Sequence, residues 1–313
     1  MSYRPVAWIT HPECVQHEMP GNHPESPQRL RAIEDRLRAA GLADFVQRYE
    51  APLASREALL RVHDAAHIDR VMHADTRRGP VAHDGDTVQA EHTLQAALRA
   101  AGAGMLGVDL TLEQKAGLAF CAVRPPGHHA ERARAMGFCF FNNIAVAAAH
   151  ALSRGLERVA ILDFDLHYGN GTADIFMNDP RVEVYSTYQH PLYPYWTGAP
   201  HANNLIDVPL APYTGGDALR SAVTQQWLPR LEKQPPQMIL VSAGFDAHAD
   251  DPLGDLRWSY DDYRWLGAVI DELARDCCDG RVVAMLEGGY ELHALSRSVE
   301  SFLRAFLGED VPV

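Results

Sequence analysis

Residues 159–171 read VAILDFDLHYGNG, an apolar run that passes directly into a cluster of polar, chemically active side chains. The first four residues form the continuous apolar run expected of a strand buried on both faces of a parallel sheet. Asp163, Asp165 and His167 follow at spacings i, i+2 and i+4, which in an extended backbone point to one side. This strand end is either solvated or buried. If it is buried, the three polar side chains need a metal ion or a hydrogen-bond network as a partner.

Three further apolar runs end in the same way. Each passes into a short polar motif, and the motifs are RPPGHH (124–129), SAGFD (242–246) and EGGY (287–290). Open parallel sheets place their sites in the loops beyond the carboxyl ends of the strands. The recurrence therefore predicts one site that is assembled from four distant segments.

Length and composition favour one large α/β domain. The chain has 313 residues, 47% of them hydrophobic, and no linker, internal repeat or low-complexity tract marks a boundary. We therefore expect a single domain over residues 1–313. Strands that alternate with helices indicate a parallel sheet covered by helices on both faces. Helical patterns recur near residues 56–73, 91–106, 143–153, 216–232, 261–276 and 292–307.

The segment 188–213 is rich in Pro, Tyr, Gly and Asn. It shows little periodicity, so we predict a long functional loop at the rim of the site. Trp196 in this segment and Trp258 are candidates for the interface of a homo-oligomer, although Trp is more often partly buried core. The sequence leaves the oligomeric state open.

Charge and cysteine usage narrow the function classes. The net charge is −13, and the chain lacks the basic run that nucleic-acid binding requires. An acidic surface attracts cationic partners such as Lys-rich peptides or polyamines, or it only keeps the protein soluble. The five cysteines show no paired spacing, and there is neither a signal-peptide core nor an apolar run approaching ~20 residues. These features predict a cytoplasmic protein without disulfides or a membrane span.

The polar motifs together supply the groups that a metal-dependent hydrolase needs. Asp246 adds a carboxylate to the cluster that follows residue 162, and two carboxylates with one imidazole suit zinc or a similar divalent ion. Two anionic ligands offset the ion's charge, so the attacking water still needs a base, which His128 or His129 can supply. Tyr290 can donate a hydrogen bond to an oxyanion. Taken alone, the His pair and the Tyr are equally compatible with structural roles.

In combination, these motifs resemble the histone deacetylase superfamily, and within it the bacterial class II-type group of deacetylase-like amidohydrolases and acetylpolyamine amidohydrolases. The resemblance covers nearly the whole chain and implies a single arginase/deacetylase-type domain, with a parallel eight-stranded sheet flanked by helices. The matching motifs are HPESPQRL (23–30), RPPGHHA (124–130), GFCFFNN (137–143), DFDLHYGNGT (163–172), AGFD (243–246) and EGGY (287–290).

The resemblance implies a zinc-dependent deacetylase that hydrolyses the amide of N-acetyl (acyl) lysine side chains. Asp165, His167 and Asp246 match the zinc ligands of the family. Tyr290 matches the residue that polarises the amide carbonyl and stabilises the oxyanion. His129 matches the general base, which later protonates the leaving amine.

Further roles follow from the same resemblance. His128 would assist electrostatically, with Asp163 hydrogen-bonded to it, and Asn170 would orient His129. Class I members have Asp where this chain has Asn170, so a neutral partner should leave His129 less basic. A structural potassium or sodium ion is also implied, with ligand positions that match Asp163, Asp165, His167, Ser186 and Thr187. A second monovalent site is implied near Phe176, Asp179 and Val182.

The substrate residues implied by the resemblance surround a narrow apolar tunnel. Gly137 and Phe138 match one aromatic wall, and Tyr193 is the candidate for the other. Asp86 matches the rim carboxylate that holds the substrate backbone, although Asp84 lies as close in sequence. Two positions depart from the family: Tyr188 replaces a histidine, and Glu291 replaces a common Asn and adds negative charge at the rim.

The family divides between acyl-lysine and acetylpolyamine substrates. The polyamine-selective class II relative has a Glu in its Asp-Pro-x-Gly stretch, where this chain has Leu253. An apolar gate favours an acetylated lysine peptide or protein over an acetylated small amine. The acidic rim candidates Glu18, Asp86 and Glu291 favour a cationic polyamine instead, so both substrates stay open.

Two readings from other classes are less favoured. An arginase-like binuclear manganese hydrolase would need more ligands and would leave the His pair and Tyr290 without a task. A binding module without catalysis would lack a ligand or the Tyr, and all are present here.

Overall fold

The structure is a computed structural model that describes residues 5–195 and 202–308. An eight-stranded sheet forms its centre, in the spatial order β2-β1-β5-β10-β9-β6-β7-β8, and every neighbouring pair is parallel. Its strands are β1 (Val6–Thr10), β2 (Val46–Glu50), β5 (Leu118–Cys121), β6 (Val159–Asp163), β7 (Val182–Gln189), β8 (Leu205–Leu210), β9 (Ile239–Ala243) and β10 (Val282–Leu286). The short strands β3 (Val81–Ala82) and β4 (Val88–Gln89) form a separate antiparallel pair.

Helices cover both faces of the sheet. They are α1 (Gln28–Ala39), α2 (Arg56–Leu60), α3 (Ala65–Met72), α4 (Thr93–Leu112), α5 (Asn143–Ser153), α6 (Asn170–Phe176), α7 (Gly216–Ala222), α8 (Leu228–Lys233), α9 (Tyr260–Cys277) and α10 (Leu292–Leu307). A π-helical turn, Val223–Trp227, joins α7 to α8. Helix α4 packs on Val283 of β10 through Gly107, whereas α10 packs on Phe120 of β5 through Phe302. Because Phe120 pairs with Ala284, these two contacts lie on opposite faces, as the sequence predicts.

The helical pattern predicted near residues 56–73 is present but interrupted. The structure has two short helices there, and Asp64 between them has an extended backbone. The N–H of Asp64 donates to the carbonyl of Arg132. The His63 ring is buried between two other segments, with Nδ1 3.0 Å from the carbonyl oxygen of Glu131 and Nε2 2.9 Å from the N–H of Asn142. These long-range bonds stabilise the break against the local helical pattern.

The prediction of a loop over residues 188–213 is wrong in part. Strand β7 extends to Gln189, and Leu205–Leu210 forms β8 at the edge of the sheet. Most of β8 is only half-buried and it contains Pro209, so it lacks the apolar run of a central strand. Trp196, the first interface candidate, lies outside the described residues, and Trp258 is fully buried.

The carboxyl ends of β5, β6, β9 and β10 lie side by side in the centre of the sheet. Each is followed directly by one of the four polar motifs. The fold therefore brings the four segments to one edge, as the sequence predicts. The five cysteines are all free thiols. Over residues 5–195 and 202–308, none of the helices has the length and apolarity needed to cross a membrane.

Candidate active site

Three buried side chains form a compact cluster of metal-binding atoms. Asp165, His167 and Asp246 each offer one ligand atom, and these atoms all lie within 4.8 Å of one another. His167 Nδ1 lies 3.1 Å from Asp165 Oδ1 and 3.1 Å from Asp246 Oδ2. The structure thus brings the three predicted zinc ligands together.

Backbone groups hold the two carboxylates in place. The N–H of Gly288 donates to Asp165 Oδ2 over 2.8 Å, and the N–H of Leu166 donates to Asp246 Oδ1 over 2.9 Å. A Cβ at Gly244 would lie 2.1 Å from Asp165 Oδ2, and one at Gly288 would lie 2.0 Å from Asp246 Oδ2. The glycines of the AGFD and EGGY motifs are required because the backbone touches the ligands there.

The donor set fits a zinc ion. Buried Asp and His side chains in a group of three are typical of catalytic zinc sites, which keep a further position for water and substrate. Burial and the neighbouring Asp165 raise the pKa of Asp246 to about 7, so the charge of Asp165 opposes ionisation of Asp246. A divalent ion would remove that repulsion.

Two buried hydroxyls near the end of β7 lack hydrogen-bond partners in the part of the chain that the structure describes, and because they belong to consecutive strand residues they point to opposite faces of the sheet. Ser186 pairs with Asp163 in the sheet. Ser186 Oγ and Thr187 Oγ1 are buried and have no hydrogen-bond partner among the described residues. Hydroxyl, carboxylate and backbone carbonyl oxygens are suitable ligands for a hard monovalent ion, and unpartnered buried oxygens are costly without one.

The expected second monovalent site is arranged differently. The carbonyl oxygens of Phe176, Asp179 and Val182 do converge, as a cation site requires. Each of them lies near one buried side-chain nitrogen, Asn204 Nδ2, at 2.8, 3.2 and 2.9 Å respectively. The amide has two N–H donors for these three carbonyls, and a cation at this position would have to displace it.

The two adjacent histidines have different partners. His128 Nδ1 lies 3.0 Å from Asp163 Oδ2, whereas His129 Nδ1 lies 2.7 Å from the amide oxygen of Asn170. Burial alone lowers the pKa of His128, but Asp165 and Asp163 outweigh it and raise the pKa to about 10. Burial and the adjacent His128 lower the pKa of His129 well below its usual value. The structure thus pairs each predicted histidine with its predicted partner.

Tyr290 lies at the same site with its phenol protonated. Burial raises the pKa of Tyr290 well above its usual value; Arg29 opposes this, and Asp246 and Asp165 add to it. The guanidinium of Arg29 lies 5.0 Å from the centre of the Tyr290 ring. A protonated phenol beside the metal-binding carboxylates can donate a hydrogen bond.

The aromatic walls predicted from the sequence also meet at the site. The Tyr193 ring is 5.1 Å from the His129 ring, and the Phe138 ring is 6.0 Å from the Tyr290 ring. Gly137 has φ +56°, and a Cβ there would lie 2.5 Å from His129 Cδ2. The chain thus needs a glycine at position 137, because the backbone before Phe138 passes against the His129 ring.

The rim carboxylates lie on the loop between β3 and β4. Asp84 Oδ1 accepts from the N–H groups of Asp86 and Thr87 at 3.0 and 2.6 Å, so its role is to shape the turn. Thr87 Oγ1 in turn accepts from the N–H of Phe138 over 2.9 Å. The Asp86 side chain is exposed, and this bond ties its loop to the Phe138 wall.

Glu291, which was expected to add negative charge at the rim, is held by a hydrogen bond to the helix that follows it. Its Oε2 accepts from the N–H of Ala294 over 2.5 Å and so caps α10. A carboxylate at a helix N-terminus is stabilised by the free N–H groups there. Glu18 is exposed. Tyr188, the other departure, packs on the Tyr168 ring at 4.7 Å.

Asp251 is a buried residue that the sequence analysis missed. Its Oδ2 accepts from the N–H groups of Tyr290 and Glu291 at 2.6 and 3.2 Å. Its Oδ1 accepts from the N–H of Leu253 over 3.1 Å. One carboxylate therefore holds the half-buried Leu253 turn and the Tyr290 segment together. Its position before Pro252 was a turn signal, but its partners are 39 residues away.

A buried ion network under the site was also missed. Glu25 pairs with Arg29 and Arg124, and His17 lies 3.3 Å from Glu25 Oε2. Arg29 donates to the carbonyls of Glu287 and Gly289 at 2.5 and 2.6 Å. The network fixes the turn that precedes Tyr290, and its sequence signals were the HPESPQRL motif, which holds Glu25 and Arg29, and the RPPGHHA motif, which begins with Arg124.

Glu287, which begins the EGGY motif, supports the histidine loop. Its Oε2 accepts from the N–H groups of Gly127 and His128 at 2.7 and 3.1 Å. Burial raises its pKa to about 7, although His128 acts in the opposite direction. The carboxylate thus joins the ends of β5 and β10 at the edge where the site lies.

Comparison with known proteins identifies the family. The family profile described as Histone deacetylase domain matches residues 23–306. "Histone deacetylase 10, chloroplastic" of Oryza sativa subsp. japonica is 40% identical over 311 residues, which cover 92% of this chain and 70% of that protein. "Histone deacetylase-like amidohydrolase" of Pseudomonas aeruginosa is 38% identical over 88% of this chain and 74% of that protein.

A human relative and a solved structure extend the comparison. "Polyamine deacetylase HDAC10" of Homo sapiens is 34% identical over 92% of this chain and 45% of that protein. The structure titled "Crystal Structure of HDA15 HD domain" has a TM-score of 0.91 at 31% identity, and the match covers 98% of this chain and 89% of that chain. With a profile match over most of its length and this shared arginase/deacetylase fold, the chain belongs to the histone deacetylase family of deacetylases and amidohydrolases.

Proposed function

We propose that this protein is a zinc-dependent deacetylase that hydrolyses the amide of N-acetyl (acyl) lysine side chains. The supporting observation is the convergence of the buried Asp165, His167 and Asp246 with His129 and Tyr290 at one edge of the sheet. Family membership supports the reaction class. We further propose that residues 1–313 form one catalytic domain.

Asp165, His167 and Asp246 would hold the zinc ion. When bound, zinc supplies Lewis acidity that polarises the amide carbonyl and acidifies water. A structural potassium or sodium ion would be held next to it, and its proposed ligands are Asp163, Asp165, His167, Ser186 and Thr187. The Ser186 hydroxyl, on the residue paired with Asp163, is one of the buried, unpartnered oxygens described above, whereas Thr187 would contribute its backbone carbonyl.

His129 would act as the general base. Its Nδ1–H donates to Asn170 Oδ1, which leaves the lone pair of Nε2 free to accept a proton from the attacking water. The low pKa of the ring means that it is neutral before the reaction. The same Nε2–H would then protonate the leaving amine nitrogen, so that each turnover returns His129 to its starting state.

His128 would stabilise the reacting centre electrostatically. The Asp163 carboxylate accepts from His128 Nδ1–H and favours the protonated ring. Tyr290 would donate its O–H to the oxyanion that forms at the amide carbonyl. Its raised pKa keeps that proton in place at neutral pH.

The substrate would enter between two aromatic side chains. Phe138 and Tyr193 would line the acyl-lysine stem, with Gly137 allowing the backbone to pass close to His129. Asp86 would accept from a backbone N–H of a peptide substrate, because its carboxylate is exposed on the loop beside Phe138.

The rim supports lysine over polyamine as the substrate class. Leu253 is apolar and offers no carboxylate to a distal ammonium, and Glu291 engages one of its carboxylate oxygens in capping α10. Asp86 supports the alternative, an acetylpolyamine or other small-amide deacetylase, because it is an exposed carboxylate at the mouth. One relative is named a polyamine deacetylase, so the two candidates need a direct comparison.

The test is amine release from two matched substrates, an acetyl-lysine peptide and an N-acetylated linear polyamine. Each would be assayed with zinc-loaded protein and with protein whose zinc has been removed by a chelator and then restored. We expect zinc-dependent release with a higher kcat/KM on the peptide. A higher kcat/KM on the polyamine would establish the alternative, and zinc-independent release would overturn the proposal.

A further inference from the structure

We infer that Glu131 is a positioning residue for the proposed deacetylation, because it sets the tautomer of His129 through Asn170. Asn170 Nδ2 donates to Glu131 Oε1 over 2.8 Å, while Asn170 Oδ1 lies 2.7 Å from His129 Nδ1. The inference rests on the proposed role of His129 as the base. It assigns a task to a residue that is adjacent to the histidine loop but does not touch the metal cluster.

The chemistry of an amide explains why a carboxylate matters here. Asn170 has one acceptor end and one donor end, and either can face an imidazole. A carboxylate only accepts, so Glu131 selects the donor end and leaves the oxygen for His129 Nδ1. Nδ1 must then carry the hydrogen, and Nε2 keeps the lone pair that the base needs.

The reversed amide would place the ring in the wrong state. Asn170 Nδ2 would then face His129 Nδ1 and would require its lone pair. Nε2 would carry the hydrogen and would be unable to accept a proton. The choice between a competent and an incompetent ring therefore depends on what the far end of the amide contacts.

No other described group near that end imposes the choice as strongly. Asn170 Nδ2 also lies 3.5 Å from the carbonyl oxygen of His129 and 3.4 Å from Met136 Sδ. The first distance is long for a hydrogen bond, and a thioether is a weak acceptor. Glu131 makes the shorter contact and is an ionised acceptor, so it contributes most of the preference for the Asn170 orientation in which Oδ1 faces His129.

Glu131 is itself fixed from two sides. Arg134 donates from Nε and Nη2 to its two carboxylate oxygens at 2.8 and 3.0 Å. The carbonyl of Glu131 lies 3.0 Å from His63 Nδ1. The Glu131 side chain is 13% exposed and that of Arg134 is 60% exposed. A hydrogen-bonded series thus runs from an exposed guanidinium through a carboxylate and an amide to the buried base.

The experiment is a double-mutant cycle between Glu131→Gln and Asn170→Asp, read as kcat and KM with zinc content measured in parallel. A glutamine at position 131 can donate as well as accept, so the single variant no longer selects one amide orientation. We expect kcat to fall about tenfold or more, which corresponds to about 1.4 kcal/mol, with KM and bound zinc unchanged. An aspartate at position 170 only accepts and fixes Nδ1–H by itself, but its second oxygen would face the Glu131 carboxylate, which repels it. In that background Glu131→Gln should therefore leave kcat unchanged or raise it, instead of lowering it.

Two outcomes of the cycle and one control variant distinguish a positioning role of Glu131 from a structural one. A merely structural Glu131 would lower kcat by the same factor in both backgrounds, and that result would overturn the inference. A kcat of Glu131→Gln equal to that of the unaltered protein would also overturn it. Glu57→Gln, which removes an exposed carboxylate paired with Arg61, should leave kcat unchanged.

A second readout does not depend on turnover. The ¹⁵N shifts of the His129 ring nitrogens report which nitrogen carries the hydrogen. We expect the Nδ1–H form in the unaltered protein and a mixture of tautomers in Glu131→Gln. An unchanged Nδ1–H form in the variant would contradict the inference, whereas absence of any deacetylation by the unaltered protein would contradict only the proposed function.

Discussion

The floor and the rim of the site are built in different ways. On the floor, Asp163, Asp165 and Asp246 are no more than 1% exposed, and backbone N–H groups donate to each of them. At the rim, Asp86 is exposed, and Leu253 is half-buried in a turn. The floor follows strand ends of the central sheet, whereas the rim consists of connecting loops.

This difference separates chemistry from selectivity. A change on the floor leaves a buried charge or donor without its partner, so its cost is large and affects every substrate. A change at the rim alters only contacts that differ between substrates, so its effect is smaller and depends on the substrate. Each region can therefore be tested by its own pattern of effects.

The largest effect is expected from Asp246→Ala on the floor. The variant removes a proposed zinc ligand and leaves Asp165 and His167 as the remaining pair of the cluster. Bound zinc and deacetylation should be lost together on both the acetyl-lysine peptide and the acetylpolyamine. Metal analysis alongside amine release checks this, and full turnover without bound zinc would contradict it.

The next effect is expected from Tyr290→Phe. The ring remains, but the hydrogen-bond donor to the oxyanion is lost. We expect kcat to fall by ~10²–10³-fold with zinc content and stability unchanged, because the removal of a single oxyanion donor has costs of this order. Retention of full turnover would exclude the assignment of Tyr290.

A smaller, substrate-dependent effect is expected from Leu253→Glu at the rim. If Leu253 forms the gate proposed above, the new carboxylate would meet the distal ammonium of a polyamine. The ratio of kcat/KM for acetylpolyamine over acetyl-lysine peptide should rise by ~10-fold, in line with one added charge contact. Leu60→Glu, which changes a leucine that is 42% exposed, is the matched control and should not move the ratio.

The smallest effect is expected in acid, from a buried histidine that supports the floor. Burial and the adjacent His67 lower the pKa of His63 to about 3. The unfolded chain binds this proton at its ordinary pKa of about 6.5, so stability falls as the pH drops from about 6.5 towards 3. Between pH 7 and pH 5 the free energy of unfolding should fall by ~1–2 kcal/mol from this group.

Urea unfolding at the two pH values tests this dependence. His63→Gln cannot titrate, so the drop in unfolding free energy should be smaller in that variant than in the unaltered protein. An equal drop in both proteins would show that His63 contributes nothing to the acid sensitivity. His63 lies outside the rim, so its protonation at low pH should lower activity by the same factor on the acetyl-lysine peptide and on the acetylpolyamine.

The floor was predictable from the sequence because its residues directly follow apolar runs. Spacing alone grouped Asp163, Asp165 and His167, and the order of strands and helices indicated the parallel sheet. The resemblance then supplied the roles of these residues. The half-buried β8 and the break at His63 were not predictable, because long-range hydrogen bonds and an edge position override the local pattern.

Most of the hydrogen bonds that hold the site in place could not be predicted from residue spacing in the sequence either. Asp251 and Glu287 join segments that are 39 and 160 residues apart, and a carboxylate in sequence does not show which N–H groups it will meet. Glu291 also caps the helix that begins at the next residue, a bond that its place in the sequence did not reveal. Such bonds depend on how the folded segments meet, which only the structure shows.

The most direct test of the account is a zinc titration of metal-free protein, with amine release and bound zinc measured at each step. If Asp165, His167 and Asp246 hold the catalytic ion, release from an acetylated substrate should rise in proportion to bound zinc and stop at one equivalent per chain. Asp246→Ala should show neither binding nor release over the same range. Full release before any zinc is added would contradict the account.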